Sequence, residues 1–72
     1  MARPGETPSQ RVTRELRERL MAGEWKTGDR LPSIGELANH YGVARATVVK
    51  ALRILRDEGL IVSTPSWGTF KA

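Results

Sequence analysis

The sequence predicts an α+β fold, mainly α, in which three helices are followed by a β-hairpin. Two observations point there: three apolar stripes at helical spacing, with capping boxes ahead of the first two and a glycine at or near each end, and a switch to strand and turn residues after Gly59. A length of 72 residues adds a third, because it leaves room for one domain. A chain this short buries only about 60% of its unfolded surface, so one modest core is all it can build.

Met1–Glu6 carries proline, glycine and opposed charges, which reads as a loose arm, and the expected division sets residues 1–8 apart as a flexible N-terminal segment from a domain over 9–72. Thr7 as N-cap, Pro8 at the first helical position and Gln10 at the third form a capping box. Val12, Leu16 and Leu20 then recur every four residues, the stripe of an amphipathic helix, and Gly23 closes it. The other faces of this helix hold interleaved Arg and Glu at pairing distance, so it reads as scaffold.

The connector Glu24–Pro32 contains Trp25, expected as a lid on the core, and a short strand around Arg30 and Leu31. Ser33 and Glu36 make a second capping box, opening a short helix with Ile34, Leu37 and Ala38 expected inward and an end near Tyr41–Gly42. Gly42 admits the left-handed conformation that reverses the chain within a few residues. A third helix is expected from about Arg45 to Glu58. At 100° per residue its Val48, Ala51, Leu52 and Leu55 share one side, and Arg45, Ala46, Val49, Lys50 and Arg53 the other. Two helices about a glycine turn, the second with an apolar back and a basic front, are the layout of a helix-turn-helix. Leu60–Val62, the turn material Pro65–Gly68 and Thr69–Phe70 then supply a hairpin, which makes the fold a winged helix-turn-helix.

Charge and composition narrow the function. Twelve Lys+Arg against eight Asp+Glu give a net charge of +4 and a pI near 10.4. The first thirty residues hold seven bases and five acids, interleaved, whereas Leu37–Arg56 holds Arg45, Lys50, Arg53, Arg56 and His40 and no acid. A one-sign helical segment is the electrostatic footprint of a phosphate-binding surface. The chain has no cysteine, which excludes disulfides, thiolate metal sites and a Cys nucleophile. His40 is the sole histidine, so no His-based metal site or catalytic triad can be assembled, and the phosphate-loop pattern is missing. No enzyme activity, metal or cofactor is expected. Apolar runs reach three residues, against the ~20 that span a bilayer, and no signal-peptide stretch opens the chain. A cytoplasmic protein without membrane contact is expected.

The series Gly23-x-Trp25-x-x-Gly28-x-Arg30-Leu31-Pro32-Ser33, Leu37-Ala38-x-x-Tyr41-Gly42-Val43-x-Arg45-x-Thr47-Val48, Ala51-Leu52-x-x-Leu55-x-x-Glu58-Gly59-Leu60-Ile61 and Gly68-Thr69-Phe70 resembles the winged-helix DNA-binding domain of GntR-type bacterial transcription regulators. The resemblance covers roughly residues 9–72. It implies sequence-specific binding to a double-stranded DNA operator, usually in repression, with the third helix in the major groove and the wing near the minor groove. Arg45 matches an arginine that reads guanine, which a guanidinium does through two parallel bonds to O6 and N7; a phosphate clamp or a solvated side chain is the other reading. Thr47 matches a hydroxyl that docks the helix on the DNA backbone, the alternative being a bond within its own turn. Ser33 resembles a cap whose helix N-terminus points at phosphate. Tyr41 is read as packing. Gly68, with Thr69, matches the wing-tip glycine that approaches the minor groove.

Several positions depart from the family pattern. Ala44 stands where Ser or Thr is common, removing a helix cap and a phosphate donor. Val49 replaces a frequent arginine and either touches a thymine methyl or is a bystander. Gly35 replaces a long polar side chain. Trp67 is unusual at the wing and either stacks on the hairpin base or rests on a deoxyribose. The expected DNA-binding set is therefore Ser33, Ala44, Arg45, Ala46, Thr47, Val49, Lys50, Arg53, Trp67, Gly68 and Thr69. The domain is expected to self-associate on palindromic DNA, and a small-molecule effector is expected only if a C-terminal domain accompanies it. The other class of function is a protein-interaction module whose basic face meets an acidic partner.

Overall fold

A computed structural model of the chain describes residues 3–64 and 67–72. Helices α1 (Pro8–Met21), α2 (Ile34–Tyr41) and α3 (Arg45–Asp57) precede strands β1 (Ile61–Thr64) and β2 (Gly68–Lys71). The strands pair antiparallel, with Ile61 opposite Lys71 and Thr64 opposite Gly68.

The local signals in the sequence form as capping chemistry requires. The Thr7 hydroxyl accepts from the Gln10 N–H while the Gln10 side chain accepts from the Thr7 N–H. Thr7 and Pro8, which the expected division places with the arm, are thus the cap and first residue of α1. Glu6 is tied to α1 as well, by two hydrogen bonds from Arg14 at 2.8 and 3.0 Å. At the far end Gly23 N–H reaches Leu20 O and Glu24 N–H reaches Arg19 O, which satisfies carbonyls the helix leaves open. The same pair of bonds, Gly59 to Arg56 and Leu60 to Leu55, ends α3.

The core is a single cluster. Val12, Leu16 and Leu20 of α1 meet Leu37, Ala38 and Tyr41 of α2 and Val48, Ala51, Leu52 and Leu55 of α3, with Leu31 and Ile61 closing the ends. Trp25 is half-buried against this cluster with the Arg19 guanidinium 4.7 Å from its ring centre. Ile34 departs from expectation: it is 37% exposed and lines the cleft between α3 and the hairpin instead of the core. The strand expected around Arg30 and Leu31 is a single bridge from Arg30 to Phe70. Its backbone bonds run along β2 nonetheless, from Leu31 N–H to Thr69 O and from Lys71 N–H to Asp29 O, both 2.8 Å. The hairpin is therefore held to the body of the domain along its outer edge.

Candidate nucleic-acid interface

Gly42 sets the angle between α2 and α3. It caps α2 at φ 66° and ψ 40°, a conformation glycine adopts without steric cost, and α3 begins three residues later. With Val48, Ala51, Leu52 and Leu55 spent on the core, α3 turns Arg45, Ala46, Val49, Lys50 and Arg53 to solvent. Thr47 is half-buried at the edge of that face, and its hydroxyl makes no hydrogen bond among the described residues. Ala44 caps α3 with an extended backbone and no side-chain bond, and the first turn contains no acid. The leading N–H groups of α3 thus face outward without a capping side chain.

The charges sort by helix. The four arginines of α1 are all engaged: Arg11 with Glu15, Arg14 with Glu6 and Glu18, Arg17 with Glu58, and Arg19 with Glu24. By contrast Arg45, Lys50 and Arg53 form no ion pair among the described residues. The front of α3 therefore carries three cations that no acid among the described residues pairs.

At the start of α2 the Ser33 hydroxyl accepts from Glu36 N–H at 3.1 Å, and the Glu36 carboxylate accepts from Ser33 N–H at 3.0 Å. The Ser33 backbone bond, then the Ser33 side chain, hold the Glu36 carboxyl below its usual range. That terminus already carries a carboxylate, so of the two helices α3 offers the less obstructed end to an anion.

Between α3 and the hairpin runs a cleft lined by Ile34, Val49, Leu52, Arg53, Arg56, Ser63 and Thr69. It joins expected site residues from the helix (Val49, Arg53) with one from the wing (Thr69). Arg56 and Ser63, outside the expected set, lie in the same cleft. Arg56 continues the Val49–Arg53 face by one turn, a periodicity signal that could have found it. Its contact with Asp57 is a long 3.4 Å between neighbours. Trp67 is 72% exposed. Two arginines lie against glycine backbone: Arg45 beside Gly35 and Arg30 beside Gly68. Pro65 and Ser66, expected as turn residues, lie outside the described residues.

The same fold is found in solved structures. The DNA-binding domain of AraR in complex with operator ORX1 is similar over 100% of this chain and 87% of its own, with a TM-score of 0.92 and 28% identity. Residues 8–70 match the family described as bacterial regulatory proteins, gntR family. The chain belongs to the gntR family. Among its relatives the histidine utilization repressor of Klebsiella aerogenes is 41% identical over 63 residues, 88% of this chain and 26% of that protein. The mannosyl-D-glycerate transport/metabolism system repressor MngR of Escherichia coli (strain K12) is 37% identical over 59 residues, 82% of this chain and 25% of the relative. The chain thus spans about a quarter of the length of these two gntR-family relatives.

Proposed function

We propose that this gntR-family domain binds duplex DNA sequence-specifically and represses transcription. The α3 front enters the major groove, Arg45 donates to a guanine edge, and Lys50 and Arg53 grip phosphates. The hairpin lies toward the neighbouring minor groove, with the DNA backbone in the cleft between Arg53, Arg56, Ser63 and Thr69. The observation that carries this reading is the sorting of charge: the α1 arginines are engaged with acids, and the α3 front has none. AraR in complex with its operators, and repressors among the relatives, support the same conclusion.

Pairing of two copies on a palindromic site and a place of action in the bacterial cytoplasm complete the proposal, with control by a small-molecule effector only if a C-terminal domain accompanies this one. No helix among the described residues is long and apolar enough to cross a membrane. Selection of bound sites from random duplexes tests the reading. Enrichment of a common half-site, with salt-sensitive retention even on unselected DNA, is the expected result. Absence of any salt-sensitive retention would overturn it and leave the basic front to an acidic protein.

A further inference from the structure

We propose that Gly35 is a positioning residue for Arg45: by lacking a side chain it leaves free the surface on which the guanidinium rests, and so sets which base edge α3 reads. The inference rests on the DNA-binding reading above and adds a second residue to its specificity.

Gly35 is the second residue of α2, inside a regular helix and with no left-handed backbone angle. Glycine is among the poorest helix formers, so nothing local favours it there. What stands beside it is Arg45. A Cβ on residue 35 would lie 3.0 Å from Arg45 Nη2, 3.5 Å from its Cζ and 3.7 Å from its Nε. All three distances involve the guanidinium and none involves backbone, so a side chain at 35 displaces the arginine and leaves the helices in place.

Arg45 opens α3, and helical side chains lean toward the N-terminus, which carries this one back across the turn onto α2. No ion pair or hydrogen bond among the described residues holds the guanidinium there. The guanidinium instead lies beside the Cα of Gly35, where a Cβ would crowd it. Two parallel bonds to a guanine depend on that orientation, because the fork is planar and fixed. A methyl group at position 35 therefore alters base reading by moving Arg45.

The test is a cycle of four proteins: the native domain, Gly35→Ala, Arg45→Ala and the double variant. Each is measured on the best duplex from the random-site selection, on a random duplex, and by thermal unfolding. Gly35→Ala is expected to keep or raise the thermal midpoint, to hold affinity for random DNA within about two-fold, and to lower the preference for the selected duplex by about five-fold or more. In the Arg45→Ala background the same substitution is expected to change nothing, because the coupling runs through that side chain. An equal effect of Gly35→Ala with and without Arg45 would overturn the proposal. So would an unchanged preference in Gly35→Ala while Arg45→Ala abolishes it. If Arg45→Ala itself leaves the preference intact, Arg45 is not a base reader and the proposal falls together with that assignment.

Discussion

Arg30 and Gly68 meet at the turn end of the hairpin, where Arg30 Nε stands 3.0 Å from the point a Cβ on residue 68 would occupy. Gly68 also has φ +102°, a region that L side chains rarely adopt. The two facts act together: a side chain at 68 would be strained by its own backbone and would crowd the Arg30 guanidinium.

Gly68→Ala is accordingly expected to cost about 1–2 kcal/mol, confined to the wing. Hydrogen exchange locates the loss. The amides of Leu31 and Lys71, which bond to Thr69 and Asp29 across that edge, should exchange faster while those of α1 keep their protection. Uniform acceleration in all elements would show that the hairpin and helices unfold as one unit.

Acid should weaken the domain through its carboxylate–arginine pairs. The hydrogen bond from Arg14 is the main cause that lowers Glu6 from 4.5 to about 2, and Arg17 and Arg19 lower Glu58 and Glu24 in the same way. A carboxyl that is more acidic when folded stabilises the fold fully above its unfolded pKa, and this is lost as pH falls through the folded value. Stability is therefore expected to decline between pH 4.5 and about 2. Glu6→Gln should be less stable than the native domain at neutral pH and lose less on acidification. Urea midpoints followed across that range decide it, and parallel curves for the two proteins would remove Glu6 from the account.

Leu55 is fully buried where α3 meets the core, whereas Leu52 retains 7% exposure at the cleft. Truncating a buried leucine costs about 2–5 kcal/mol, a large part of the about 5–15 kcal/mol that stabilises a small domain. Leu55→Ala is expected to leave the domain largely or marginally unfolded, with Leu52→Ala somewhat milder. Thermal unfolding by circular dichroism measures both; a midpoint shift of only a degree or two for Leu55→Ala would contradict the packing described.

Most of the fold was legible because its signals are local. The boxes at Thr7–Gln10 and Ser33–Glu36, the turn at Gly42 and the stripe Val48–Leu55 each involve residues within a few positions of one another, and each forms as expected. What escaped depends on distant partners. Ile34 follows the periodicity of α2, yet its position at the first helical residue opens it to the α3–hairpin cleft. Arg30 acquires its place only through the bridge to Phe70, forty residues away. The contact of Arg45 with Gly35 had no sequence signal, since the geometry of the α2–α3 turn creates it.

In the proposed complex α3 reads with Arg45 and grips with Lys50. Affinities of Arg45→Ala and Lys50→Ala for the selected duplex and for random DNA, at several salt concentrations, test it most directly. Arg45→Ala is predicted to lose about 1–3 kcal/mol on the selected duplex and far less on random DNA. Lys50→Ala is predicted to weaken both alike and to flatten the slope of log K against log salt by about one. Loss of the same factor on both duplexes by Arg45→Ala would contradict the account: Arg45 would then be a phosphate clamp, and specificity would rest with Ala46, Val49 and the wing around Trp67.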